Sequence, residues 1–188
     1  MKKPAAVILI ILVGISVFAE FSGVLFGPDS FKIDILKKKH MTTVSKKDLP
    51  ADLKVDYAFT DAKKTYQLRY STFKQNDKNV TDEDLTLSFG VFALTYILNM
   101  YGIGDIDLSG IQRFDDADVQ ADFNGDFGTT AYIANPNPAY CKGYKYMLVN
   151  FYCKKGQGVV IQTLLFNDVS FFGEEYIIEV FNSFKFKN

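Results

Sequence analysis

The chain has 188 residues, 48% of them hydrophobic and 23% charged, with a formal net charge of -1. That length and balance describe one globular domain with a sizeable core and exclude a disordered chain. So small a net charge also excludes global electrostatic recruitment by nucleic acid or by an anionic membrane. Aromatic residues reach 15%, with 18 Phe, 11 Tyr and no Trp, which suits half-buried pleated surfaces and a β-rich core.

Lys2 and Lys3 open the chain, an uncharged apolar run extends from Ala5 to Ala19, and Val17-Phe18-Ala19 precedes Glu20. This is the three-part pattern of a secretory signal peptide over 1–19, with cleavage expected after Ala19. The competing reading is an uncleaved anchor, although the run is shorter than the roughly 20 residues of a spanning helix. A secreted or periplasmic location is therefore expected. Residues 20–52 carry Gly23, Gly27 and Pro28, then Lys37-Lys38-Lys39 and Lys46-Lys47. They are expected to form a basic arm or linker, with "DSFKIDIL" as a short strand or helical turn. Beside a membrane this arm could also make peripheral contact with lipid headgroups. A single domain is expected over 53–188.

Val55, Tyr57 and Phe59, then Tyr66, Leu68 and Tyr70, alternate with mostly polar residues on either side of Ala62-Lys63-Lys64. This period of two predicts a β-hairpin. Thr81-Asp82-Glu83-Asp84 resembles a capping box and starts a long helix that Gly102 stops. Apolar residues nearly surround that helix, so it is expected to pack between a sheet and another element. An exposed greasy face at Phe89 and Phe92 is the alternative. Thr86, Ser88, Gly90, Thr95 and Asn99 argue against a membrane span. "DIDLSGIQRF", "DVQADF" and "DFGTTAYIA" read as strands, with Asn124-Gly125 as a two-residue type I′ turn. A helix-loop-helix calcium loop counted from Asp122 fails, because its sixth and twelfth positions hold Phe127 and Ile133 rather than Gly and Glu. "NPNPAYCKG" is a proline-stiffened loop. "YKYMLVNFYCKK" and "VVIQTLLF" form a second hairpin across Gly156-Gln157-Gly158. Ile177, Val180, Phe181 and Phe184 then fall at helical spacing, with Asp168 or Ser170 as the cap.

The expected fold class is α+β, an antiparallel β-sheet covered by a long internal helix and a C-terminal helix. This element order, with a hairpin feeding an amphipathic helix that closes on "FNSFKF", resembles the PsbP-like fold family over about Leu53 to Phe186. The resemblance implies an accessory or binding module, with no catalytic signature to carry over.

The chemistry-bearing residues favour a non-enzymatic reading. The one histidine, His40, lies in the basic arm, outside the scaffold that a Ser-His-Asp or Cys-His site requires. A histidine-rich zinc site is excluded by the same count, and no metal or cofactor is expected. Gly102, Gly104 and Gly110 have the wrong spacing for a dinucleotide fingerprint. Cys141 and Cys153 flank one predicted strand, which would hold them roughly 30 Å apart, so free thiols are expected. Asp115, Asp116, Asp118, Asp122 and Asp126 crowd one stretch, and a regular strand would put Asp116, Asp118 and Asp122 on one side. That keeps a secreted carboxylate-dependent hydrolase as an alternative, beside an envelope protein with a lipid-contacting helix. The leading expectation is an exported, non-catalytic binding or accessory domain. Its partner would be a protein or small molecule, not nucleic acid, and the expected ligand-binding residues are Tyr140, Asn135 and Asn137 of the proline loop.

Overall fold

A computed structural model describes residues 25–101, 111–141, 143–170 and 176–188. The expected signal peptide with its cleavage point, Gly102 and "DIDLSG" lie outside the described residues. So do the residues between Ser170 and the terminal helix.

The strands are β1 (Ile33–Ile35), β2 (Thr42–Thr43), β3 (Tyr57–Thr60), β4 (Tyr66–Lys74), β5 (Gln112–Arg113), β6 (Phe127–Ala134), β7 (Tyr146–Lys154), β8 (Gly158–Phe166) and β9 (Phe184–Phe186). The helices are α1 (Asp82–Tyr101), α2 (Asp116–Phe123), α3 (Pro138–Cys141) and α4 (Tyr176–Phe181). Among the described residues, seven strands form one antiparallel sheet in the order β2-β3-β4-β8-β7-β6-β5, and β1 pairs with β9 in a second, two-stranded sheet. The class is α+β. Both expected hairpins form, with Tyr57 opposite Tyr70 and Tyr146 opposite Phe166. Gly158, where β8 starts, has φ of +142°, and a Cβ there would lie 2.1 Å from the Phe73 carbonyl oxygen. Only glycine fits so close a backbone approach.

The large sheet is covered on both faces, and this sets the burial pattern. Every residue of β8 is buried, because the strand is central and has no solvent side. On one face lie Phe73, Ala131, Val149, Phe151 and Ile161, under α1. Helix α1 starts as its sequence requires: Thr81 Oγ1 accepts from the Asp84 N–H at 3.1 Å, and three acids fill the first turn. Its Leu85, Phe89, Ala93 and Ile97 recur every turn and are buried. Phe89 packs edge-on to Phe127 at 5.0 Å, and Phe92 packs on Phe73 at 5.1 Å. On the opposite face lie Leu68, Tyr70, Tyr152, Val160 and Leu164, under α2, α4 and the β1–β9 sheet.

Two expectations change. "DVQADF" is not a strand, and Asn124-Gly125 is not a hairpin turn. Asp115 caps α2, its Oδ1 accepting from the Ala117 N–H at 2.8 Å. Asn124 ends the helix in the left-handed region at φ 57°, its N–H returning to the Gln120 carbonyl at 3.1 Å. Gly125 follows where a Cβ would sit 3.1 Å from both Phe186 and Val119. Val119 and Phe123, one helical turn apart, are the residues α2 buries. Second, the terminal helix is short. Ile177 and Val180 are buried as its spacing requires, but Phe184 opens β9 instead of continuing the helix.

Segment 25–52, expected as an arm, supplies parts of the fold. Leu25 and Phe26 are buried beside α1, β1 pairs with β9, Met41 is buried, and β2 forms an edge of the large sheet.

Candidate functional site

One row of polar side chains crosses the sheet on the α2 face. Thr130, Asn150, Gln162 and Tyr70 are successive cross-strand partners on β6, β7, β8 and β4. Their hydrogen bonds run one way. Thr130 Oγ1 donates to Asn150 Oδ1 at 2.6 Å, Asn150 Nδ2 to Gln162 Oε1 at 2.9 Å, and Gln162 Nε2 to Tyr70 Oη at 3.0 Å. Gln162 Nε2 also donates to the Phe181 carbonyl at 2.8 Å. That carbonyl only accepts, so it fixes the amide orientation of Gln162 and, through it, that of Asn150. Tyr70 and Ser183 hydroxyls pair at 2.6 Å, and Ser183 donates onward to the Val180 carbonyl. Asn150 and Gln162 are 2% and 0% exposed. Buried polar groups this deep are tolerated because each finds a partner.

The Thr130 end of this ladder opens into a cleft of about 650 Å³. Its floor is Thr130, Leu148, Asn150 and Tyr152, one wall is α2, and the other is Phe181 and Asn182. Helix geometry places Asp118 and Asp122 one turn apart on the wall, with Cβ atoms about 5–6 Å apart. The neighbouring acids are engaged elsewhere. Asp115 caps the helix, Asp116 pairs with Arg113 at 2.9 Å, and Asp126 accepts from the Lys155 N–H at 2.6 Å. No ion pair or hydrogen bond among the described residues engages the Asp118 or Asp122 carboxylate. Tyr152 stacks on Phe114 at 5.6 Å and packs on Phe123 at 4.3 Å. Burial pushes its phenol well above the usual 10.0, nearby Tyr70 and Asp122 push the same way, and Asn150 partly offsets them. Tyr152 is therefore a neutral hydroxyl at any physiological pH.

The residues expected to bind ligand are placed as follows. Tyr140 lines a second, smaller cleft of about 250 Å³ with Lys47, Gln67, Arg69 and Tyr144. Its hydroxyl donates to Asp52 Oδ2 at 3.1 Å, which raises the phenol pKa. Arg69, 5% exposed, donates from Nε to Gln67 Oε1 at 2.6 Å and from Nη1 to the Tyr140 carbonyl at 2.7 Å. Asn137 Oδ1 accepts from the Ala139 N–H at 3.0 Å and so starts α3. Asn135 adopts φ 53°, and its N–H donates to the Lys145 carbonyl at 2.8 Å. The two asparagines thus shape the loop backbone while Tyr140 meets the cleft.

Thr130, Asn150 and Gln162 escaped the sequence reading, although a signal was present. Asn150 and Gln162 interrupt otherwise apolar strands at equal distances from Gly156, so a symmetric hairpin pairs them. The carboxylate pair was also mis-grouped. A strand period joined Asp116, Asp118 and Asp122, whereas the helix joins Asp118 and Asp122 and turns Asp116 toward Arg113.

Other chemistry is accounted for locally. Cys141 and Cys153 are free and buried. Burial raises the Cys141 thiol to about 11 and drives the Cys153 thiol well above 9.0, so neither is a nucleophile at neutral pH. Among the described residues no group of three His, Cys, Asp or Glu side chains converges to hold a metal ion. Phe89 and Phe92, the residues named for lipid contact, pack inward on the sheet, and no described helix is long and apolar enough to cross a membrane.

No protein-family model matches the chain, and none of the curated proteins does. Among solved structures it is similar to the solution structure of cyanobacterial PsbP (CyanoP) from Synechocystis sp. PCC 6803. The TM-score is 0.51, and the match covers 87% of this chain and 94% of that chain. The chain has a PsbP-like fold. Sequence identity is 16%, so the likeness is one of architecture, and function rests on the site itself. The coverage takes the PsbP-like fold well beyond the span from Leu53 on which the sequence resemblance rested.

Proposed function

We propose that this PsbP-like protein is an exported, non-catalytic binding or accessory domain whose ligand occupies the cleft between α2 and β7. One observation carries the reading. Asp118 and Asp122, unpartnered among the described residues, line with Thr130, Asn150 and Asn182 a concave space of about 650 Å³, within the roughly 300–1,000 Å³ of small-ligand pockets. Export rests on the signal pattern of residues 1–19. Tyr140, with Asn135 and Asn137 shaping its loop, is proposed as a separate, smaller contact surface.

The carboxylates favour a second reading, the secreted hydrolase, because two of them do share a cleft. They approach from one side, along one helix face, whereas a carboxylate pair that cleaves a glycoside flanks the scissile bond. Binding is therefore the better-supported function. A ligand library titrated into ¹⁵N-labelled protein is expected to perturb amides of Thr130, Asn150 and Tyr152. Leu148→Trp, which fills the cleft floor, is expected to abolish those shifts, and Tyr140→Ala to leave them intact. Hits confined to the Tyr140 cleft would move the binding site there. Turnover of a chromogenic glycoside or ester that disappears in the Asp118→Asn/Asp122→Asn double variant would replace the binding reading with the hydrolase.

A further inference from the structure

We propose that the α2–β7 cleft takes an organic cation, a primary ammonium or guanidinium carried on an aliphatic stem. The inference rests on the reading of this cleft as the ligand site and adds the class of ligand.

Three observations converge. First, the charged side chains that line the cleft are all acidic. Asp118 and Asp122 line it, no Lys or Arg does, and neither carboxylate has a protein partner among the described residues. Second, the polar ladder has a direction. The Phe181 carbonyl obliges Gln162 to present Oε1 to Asn150, which then presents Oδ1 to Thr130, so the Thr130 proton is committed inward. Toward the cleft the Thr130 oxygen offers lone pairs only. Carboxylates likewise only accept, so these three groups ask for a ligand rich in donors. Third, apolar side chains supply much of the remaining surface. Phe114, Val119, Leu148 and Phe181 line the same space, suited to a hydrocarbon stem that leads a charged head to the carboxylates. A neutral sugar would leave the two charges unmatched, and an anion would be repelled.

Two sources supply this chemistry, a free polyamine or the lysine and arginine side chains of a partner protein. The test titrates ¹⁵N-labelled protein with spermidine, with a capped tri-lysine peptide and with cellobiose. Both cations are expected to shift the amides of Asp118, Asp122, Thr130 and Asn150, more weakly at high salt. Asp118→Asn/Asp122→Asn is expected to weaken them about tenfold or more with a melting temperature lowered by at most a few degrees, since both side chains are exposed and only Asp118 lies in the first turn of α2. Tighter binding of spermidine assigns the site to free polyamines, and tighter binding of the peptide assigns it to a protein partner. Cation shifts that scatter over other acids, or that survive the double variant, overturn the proposal. Cellobiose shifting the same amides, undiminished in the double variant, overturns the cation class and leaves the cleft a ligand site. If no probe or library member reaches the cleft, both readings fall.

Discussion

Gln162 shows how much one side chain governs in this protein. It is fully buried at the centre of the sheet and makes three hydrogen bonds, to Asn150, Tyr70 and the Phe181 carbonyl. Gln162→Leu keeps the volume but leaves those partners unsatisfied in a low-dielectric interior. The expected cost is about 2–4 kcal/mol, read as a lower urea midpoint with an unchanged slope. Adding Asn150→Leu is expected to cost less than the sum of the two single variants, because the ladder acts as one network. Strict additivity would show that the residues act separately. The sequence displayed both amides, and their symmetric placement about Gly156 made the pairing legible. What it withheld were the other two partners, Tyr70 and the Phe181 carbonyl, which come from distant elements.

At the scale of elements, α2 is the instructive case. "DDADVQADFNG" satisfies two local rules at once. Alternating acids and a central Asn-Gly suit a hairpin, whereas Asp at the cap, acids in the first turn and Val119-Phe123 spacing suit a helix. The helix wins because Val119 and Phe123 then reach one hydrophobic surface, at Tyr152 and Phe184. Asp115→Ala is expected to cost about 1 kcal/mol through loss of the cap, measured by chemical denaturation. A strand in this place would make that substitution neutral. The two hairpins and α1 were legible for the opposite reason: their local patterns admit one reading each. The cleft was not legible, because its carboxylates share a face only once the segment is helical.

For the whole molecule, the sheet is sealed by two segments remote in sequence, β1 and β9. Ile33 to Ile35 pair with Phe186 to Phe184, and Phe31 stacks on Phe186 at 6.0 Å. A chain starting at Lys37 lacks β1, exposes the edge of β9 and uncovers the aromatic cluster beneath it. Its melting temperature is expected to fall by about 10 °C or more relative to a chain starting at Glu20. Equal melting temperatures would show that residues 20–36 are dispensable. The PsbP-like architecture itself was recognisable from the order of elements, since that order depends mainly on local periodicity.

By itself, the sequence determined the α+β class, the two hairpins and the capped long helix. Those are properties of residue type and near-neighbour spacing, where the period of the pattern dictates which face is buried. Tertiary structure alone decided that α2 is a helix, that segment 25–52 closes the fold, and that Asp118, Asp122, Thr130 and Asn150 share one cleft. Each of these depends on a surface built from remote parts of the chain, and the free energy of covering that surface overrides local preferences that are nearly balanced.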